Sequence, residues 1–326
     1  MKIRLLSQAD VRQALPMPRA IELMETAFRA LSSGEINAPV RTNLANEAGT
    51  LLYKPVLWDR AKAFGIKAVS VFPGNPRQGL PVTTGLMLIN DGETGVPLAL
   101  MDAEYLTAVR TGAATGLATR LLANPDVTCA AIFGTGGQAA YQLQALLAVL
   151  PLERIAIFGR ETQKAQDFCQ RHQGDVPTNC KLQPGDSHEE LRECGVIVTA
   201  TTSKTPVFVD DNIAAGTHIN GIGSFTASTA EVPPQTVARS TIIVDQRAAA
   251  LAEAGDIAMP MRSGLLPGDL QPAELGEVLL QKRDGRTSAE QVTFFKSVGN
   301  AAQDIVCAAD VLQTALREGL GQTIDL

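Results

Sequence analysis

One hexapeptide carries the clearest chemistry in the chain: Gly134-Thr135-Gly136-Gly137-Gln138-Ala139 fits the pattern G-x-G-x-x-A. It follows the β-branched apolar run Thr128 to Phe133 and opens a helical stretch that reaches Leu150. In that strand–turn–helix setting each position has a physical task. Gly134 makes the tight turn, Gly136 lets the backbone approach a pyrophosphate, and Ala139 allows close helix–strand packing. Gly137 and Gln138 complete a loop at a helix N-terminus, where free N–H groups and the dipole favour an anion. The expected ligand is a dinucleotide.

The end of the next strand decides which dinucleotide. Arg154 to Phe158 leads into Gly159-Arg160-Glu161-Thr162, with Lys164 beyond. An acid at the tip would bind a ribose 2′-hydroxyl and repel a 2′-phosphate. Gly159-Arg160 stands there instead. A guanidinium forks onto a phosphate and stacks on adenine, and Thr162 and Lys164 can assist. NADPH is therefore the expected cofactor. Glu161 would become the ribose acid on a one-residue shift, so NADH stays possible.

A single charge interrupts the apolar run Ala63 to Val71, at Lys67. A strand lysine is either an outward edge residue or a buried functional cation. Burial would bring its pKa toward the range useful for proton transfer. The residues alone leave both readings open.

Composition bounds the rest. The chain has 326 residues, and at about 150 residues per domain two domains are expected. Lys and Arg number 28 and Asp and Glu 34, a net charge of −6. That balance argues against a nucleic-acid partner, which would need a basic face, and against a polybasic membrane-surface protein. Aromatics are 4%, too few for a base-stacking platform. No apolar run reaches the ~18 residues of a membrane span. The start, MKIRLLSQADVRQALPM, is charged throughout and lacks a signal-peptide core. Five cysteines without metal-like spacing read as buried thiols in a reducing compartment. Three histidines disfavour a histidine-rich metal centre. A cytoplasmic location is expected.

Around the chemistry, the elements follow from pattern. Ile21, Met24, Phe28 and Leu31 make one helical stripe over residues 18–33, stopped at Ser33-Gly34. From 38 to 101, apolar runs alternate with turns such as Pro73-Gly74-Asn75-Pro76, predicting a mostly antiparallel or mixed sheet. Residues 103–123 return to helix. From 128 onward, strand and helix alternate, with runs at Val196 to Ala200, His218 to Ile222 and Thr241 to Val244. That rhythm predicts a doubly wound parallel sheet of Rossmann type. A short helix is expected over Asp269 to Leu280 and one long helix over Phe294 to Gly319. The fold class is thus α/β. Residues 1–120 with 300–326 are expected to form a sheet-rich α+β substrate-binding and dimerisation domain. Residues 121–299 are expected to form the dinucleotide-binding domain.

A set of short motifs spans nearly the whole chain: Gly65-Ile66-Lys67, Gly74-Asn75-Pro76, Gly79-Leu80-Pro81, Thr94-Gly95, Arg110-Thr111-Gly112-Ala113, the glycine loop, Thr199-Ala200-Thr201, Val244-Asp245-Gln246-Arg247, Glu253-Ala254-Gly255-Asp256 and Lys296-Ser297-Val298-Gly299. Together they resemble the ornithine cyclodeaminase/mu-crystallin family. The resemblance implies a homodimer that works on a 2-amino or 2-imino acid beside a nicotinamide ring. It implies that Arg41 holds the substrate carboxylate, that Lys67 lies near the substrate, and that Arg110 touches the cofactor phosphates and the active site. It also places Thr84, Thr201, Ile222, Gly223, Ser224 and Ser297 against the cofactor, and Val298 against the substrate. A guanidinium fork suits a carboxylate, which supports Arg41 independently.

Two departures point within the family. The cyclodeaminases carry a glutamate two residues before a Met-Pro dipeptide; counting back from Pro55 gives Leu52 here. They also carry an aspartate in a later loop, where this chain has Phe225 in Ile222-Gly223-Ser224-Phe225-Thr226. Without those carboxylates a buried diamino-acid ammonium would lack a counter-charge. Leu52 and Phe225 suit an apolar ring instead. Lys54, beside Pro55, is expected to be a solvated strand residue. The leading expectation is reduction of a cyclic 2-imino acid, Δ1-pyrroline-2-carboxylate to L-proline or Δ1-piperideine-2-carboxylate to L-pipecolate. Alternatives are an alanine or N-alkyl-amino-acid dehydrogenase, an ornithine cyclodeaminase, and a non-catalytic binding protein of mu-crystallin type.

Overall fold

The computed structural model describes residues 1–325. Two compact units divide the chain, residues 1–110 with 300–326, and residues 111–299.

The first unit begins with β1 (Lys2–Leu6), α1 (Gln8–Ala14) and α2 (Met17–Ser33). The α2 stripe of Ile21, Met24 and Phe28 is buried, as its period requires. Then come β2 (Ile36–Asn37), β3 (Thr42–Ala45), β4 (Thr50–Trp58), β5 (Ala63–Val71), β6 (Thr83–Asp91) and β7 (Pro97–Asp102). The helix α3 (Glu104–Leu122) carries the chain onward. The unit closes with α10 (Ala301–Glu318) and β16 (Gln322–Asp325). Its sheet is mixed, in order β16-β1-β7-β6-β5-β4-β2, with β3 also on β4. Among the described residues only its β1–β7 pair is parallel. Period-2 alternation puts Leu52, Lys54, Val56, Gly65, Lys67, Val69, Met87 and Ile89 on one face, and α10 covers that face.

The second unit holds β8 (Cys129–Phe133), α4 (Ala139–Val149), β9 (Arg154–Phe158), α5 (Thr162–His172), β10 (Lys181–Pro184), β11 (Val196–Thr199), β12 (His218–Gly221), α6 (Pro234–Arg239), β13 (Thr241–Val244), α7 (Arg247–Glu253), α8 (Gly255–Arg262), β14 (Ala273–Glu274), α9 (Leu275–Leu279) and β15 (Thr293–Lys296). All its strand pairs are parallel. The order is β10-β9-β8-β11-β12-β15-β13-β14. Its first five strands follow the 3-2-1-4-5 order of a Rossmann sheet. Both faces are buried: Ala131, Phe133 and Ile197 point into one core, Ala130, Ile132 and Val198 into the other. A parallel sheet covered on both sides needs such unbroken apolar strands.

Two expected helices are corrected. Phe294 does not begin a helix: Thr293-Phe294-Phe295-Lys296 is β15, fully buried between β12 and β13. Aromatic and β-branched residues favour this pleated setting. The helix starts at Ala301, where the Asn300 side chain accepts from the N–H groups of Ala302 and Gln303. Of Asp269 to Leu280, only Leu275–Leu279 is helical. Ala273–Glu274 pairs with β13 instead, just after Pro272, which lacks a donor to extend a helix backward.

Among the described residues no helix is long and apolar enough to cross a membrane, and no cluster of His, Cys, Asp and Glu is suited to a metal ion. All five cysteines are buried free thiols.

Candidate active site

In the first unit the buried sheet face carries charge. Lys67 is 1% exposed. Its Nζ donates to Asp304 Oδ1 at 2.6 Å and to Thr107 Oγ1 at 3.0 Å. Arg110, on α3, donates from Nε to the same Asp304 oxygen at 3.0 Å and from Nη1 to Gln303 Oε1 at 2.7 Å. Asp304 is positioned by α10, whose first turn lies over the sheet. The structure thus buries Lys67 and Arg110 around one carboxylate that sequence reasoning missed. The signal was an acid in the otherwise apolar stretch Ile305-Val306-Cys307-Ala308 that follows it.

Lys54 corrects a second expectation. It is not solvated but 5% exposed, because β4 turns Leu52, Lys54 and Val56 to the covered face. It sits opposite Lys67 in the β4–β5 register. Burial holds its amine well below the usual lysine range, helped by Lys67, Arg110 and Arg41 and opposed by Asp304. Burial likewise lowers Lys67, to about 8, with Asp304 pulling it back up. For Asp304, burial works to raise the carboxyl, but Lys67, Arg110 and Lys54 prevail and hold it at about 2. Arg41, half-buried just before β3, acts on both lysines. Leu52 is buried on the lysine face. Thr84 is not brought to this cluster. It stands on the opposite face of β6, its hydroxyl 2.7 Å from that of Ser70, whereas Thr83 shares the face of Lys67.

In the second unit the glycine loop is shaped as a cradle. Gly134 has φ +115°, and a Cβ there would lie 2.4 Å from the Ala200 carbonyl oxygen, so only glycine fits. Around Gly136 and Gly137 a Cβ would meet nothing within 4 Å. No side chain caps α4, whose N-cap is Gln138, and Ala139 is fully buried against the sheet core. Open space at an uncapped helix N-terminus fits a diphosphate. At the β9 tip, Arg160, Thr162 and Lys164 are exposed. Lys164 Nζ lies 3.0 Å from Glu161 Oε1, while Arg160 makes no ion pair among the described residues.

The ends of β11, β12 and β15 gather the remaining positions. The amides of Thr201 and Ser224 both donate to Glu231. The amides of Ile222 and Gly223 donate to the Thr199 carbonyl at 2.8 and 3.1 Å. The Ser297 hydroxyl donates to Asp245 Oδ2 at 2.9 Å, and the Val298 amide to the same oxygen at 3.1 Å. Phe225 is 40% exposed in the loop after β12. Glu231 was missed at the sequence level, because a lone acid in a loop gives no pattern.

Comparison with known proteins agrees with this architecture. A model described as the ornithine cyclodeaminase/mu-crystallin family matches residues 1–319. A Delta(1)-pyrroline-2-carboxylate reductase of Bacillus cereus is 35% identical over 323 residues, covering 98% of this chain and 99% of that protein. An alanine dehydrogenase of Archaeoglobus fulgidus is 35% identical over 325 residues, covering 99% of this chain and 98% of that one. Among solved structures, the Thermococcus litoralis Delta(1)-pyrroline-2-carboxylate reductase in complex with NADH and L-proline superposes with TM-score 0.94 at 34% identity, over 99% of this chain and 100% of that one. An archaeal alanine dehydrogenase dimer with bound NAD gives 0.93 at 33% identity over all of both chains.

Proposed function

The chain belongs to the ornithine cyclodeaminase/mu-crystallin family, and on that premise we propose that it is an NAD(P)H-dependent reductase of cyclic 2-imino acids, converting Δ1-pyrroline-2-carboxylate to L-proline. Full-length likeness to reductases of that substrate supports the reading. The observation that carries it is the buried cluster of Lys67, Lys54 and Arg110 around one carboxylate, with Arg41 beside it and Leu52 on the same face. The Arg41 guanidinium and the Lys67 ammonium are donors suited to a carboxylate, and an apolar neighbour suits a hydrocarbon ring.

Each residue then has a task. Arg41 clamps the substrate carboxylate. Lys67 has three N–H donors, and Asp304 and Thr107 take two of them. The third is left to orient the substrate or to hold the proton for its nitrogen. Asp304 keeps the Lys67 ammonium charged and aimed. Leu52 offers no carboxylate to a second ammonium, which disfavours ornithine. When bound at the glycine loop, the reduced nicotinamide supplies the hydride for the C=N carbon; the protein supplies orientation.

NADPH is the favoured cofactor in this proposal, with NADH accepted. Arg160 is exposed and makes no ion pair among the described residues, whereas Glu161 is engaged by Lys164. A homodimer is proposed through the outward sheet face of the first unit, where Phe64, Ile66, Leu86 and Leu98 are exposed; the archaeal alanine dehydrogenase is itself a dimer. Likeness to the Archaeoglobus fulgidus alanine dehydrogenase keeps alanine oxidation as a second reading. The deciding experiment offers the purified protein Δ1-pyrroline-2-carboxylate, Δ1-piperideine-2-carboxylate and pyruvate with ammonia, each with NADH and NADPH in turn, and ornithine with the oxidised cofactor NAD+. Fastest cofactor oxidation is expected with the pyrroline. Turnover confined to pyruvate with ammonia would favour the dehydrogenase, and ammonia release from ornithine would overturn both.

A further inference from the structure

One carboxylate ties together two loops at the carboxyl ends of neighbouring strands. Glu231 is fully buried. Its Oε1 accepts the Thr201 N–H at 2.6 Å. Its Oε2 accepts the Ser224 N–H at 2.8 Å and the Thr199 hydroxyl at 3.3 Å. Thr201 follows β11 and Ser224 follows β12. Between them Gly223 packs so closely that a Cβ would lie 2.2 Å from the Thr201 carbonyl oxygen and 2.5 Å from Glu231 Oε1. The two loops are therefore a single unit, and Glu231 is its fastener.

Glu231 is itself held. Asp256 Oδ1 accepts the N–H groups of Glu231 and Val232 at 2.7 and 3.0 Å. Asp256 Oδ2 is 2.8 Å from Lys296 Nζ, and both side chains are wholly buried. Lys296 ends β15, the strand beside β12. A lysine on a central strand fixes an aspartate, which fixes the Glu231 backbone, whose carboxylate fixes two loops. Burial raises the Glu231 carboxyl, against the pull of Lys296 and the Thr201 amide. Two acids and one ammonium in a core are unfavourable for packing alone. Their arrangement makes sense as a device for precise backbone placement.

In this strand order the glycine loop and β9 tip serve the adenosine half of a dinucleotide, and the β11–β12 ends serve the other half. Resting on the cofactor reading above, we propose that Glu231 is the positioning residue for the nicotinamide half: it acts through the backbones of Thr201 and Ile222 to Ser224. The role is selective, because no residue of this relay belongs to the glycine loop or the β9 tip.

The test compares two ligands that differ only in the nicotinamide ring, NADH and ADP-ribose, by calorimetric titration of the full-length protein. Glu231→Gln keeps the shape but turns an amide donor toward one of two N–H donors. Losing one charge-assisted hydrogen bond predicts roughly tenfold weaker NADH binding, with ADP-ribose within about twofold of wild type. Thr199→Val removes only the longest of the three contacts to the carboxylate and serves if Glu231→Gln does not fold; roughly two- to threefold weaker NADH binding is expected, again with ADP-ribose unchanged. Parallel weakening of both ligands, or unchanged NADH affinity in the variant that folds, overturns the assignment. Wild-type protein that binds ADP-ribose but not NADH would instead overturn the cofactor reading on which it rests.

Discussion

Lys54 and Lys67 stand directly opposite each other across the β4–β5 ladder, both buried on the same face of the sheet. Like charges in this relation are destabilising. Asp304 is an acid that acts on both. Burial and this repulsion therefore both strain a charge on Lys54.

The strain is measurable by removing one partner. Methionine has nearly the length of the Lys54 stem and no charge. Lys54→Met should raise stability by about 1–2 kcal/mol, since replacing a buried charge by an apolar side chain is often stabilising. The sign follows from linkage. Lys54 has a folded pKa below its unfolded value, so its penalty is full at low pH and fades as pH rises toward the ordinary lysine value. The gain should therefore be larger at pH 6 than at pH 10, to take two round values (~4 units apart). Urea titrations at both pH values check this, and the same variant should show a higher KM for the imino acid. A variant less stable than wild type would mean that Lys54 is held by contacts that outweigh its repulsion.

Lys67 predicts opposite pH trends for activity and stability. As the free-enzyme ammonium is lost through about 8, kcat/KM should fall. Stability should rise over the same window, because the unfolded chain still binds the proton there and the folded one does not. A basic limb near 8 in kcat/KM, with no loss of Tm, is the expected pair of results. Lys67→Ala should abolish most turnover and leave NADH affinity nearly intact.

Asp304 bears on both lysines from the other side. Asp304→Asn leaves the surrounding cations without their acid, and breaking a buried pair of this kind destabilises by about 3–5 kcal/mol. The folded carboxyl sits at about 2, below its ordinary value of 3.8. Its contribution is therefore present above that ordinary value and is lost as pH falls through about 2. Wild type and Asp304→Asn should differ most near neutrality and converge in strong acid by chemical denaturation. The basic limb of kcat/KM in the variant should also move below 8, because Asp304 raises Lys67.

Legibility in the sequence followed the distance between partners. β9 and β13 are matched residue for residue by apolar runs, because buried parallel strands leave a continuous local signature. β15 was hidden because Thr293 to Lys296 lies just before an apolar helix and the two read as one run; the short loop Ser297-Val298-Gly299 and the Asn300 cap divide them. β1 and β16 pair with each other across nearly the whole chain, and a few edge residues announce no such partner. The candidate active site shows the same rule. Lys67 stood out against its own apolar strand. Asp304, its partner 237 positions away, was one acid on a helix. Lys54 was misread because the alternation of Leu52, Lys54 and Val56 was not followed to its conclusion.

Arg160 offers the last test, of cofactor choice. Its side chain is exposed at the end of β9 and makes no ion pair among the described residues, while Lys164 and Glu161 occupy each other. A guanidinium so placed is available for a 2′-phosphate and has nothing to gain from a 2′-hydroxyl. Arg160→Glu should weaken NADPH at least about tenfold, by losing charge-assisted bonds and adding repulsion. NADH should change by less than about threefold. Because the site faces solvent, the interaction is screened: the proposed preference for NADPH should shrink as salt rises from about 0.01 M to 1 M, and the variant should show no such trend. Titration of both cofactors at both salt levels decides it. Equal losses for NADH and NADPH would show that Arg160 contacts the adenosine they share, and would move the discrimination to Glu161.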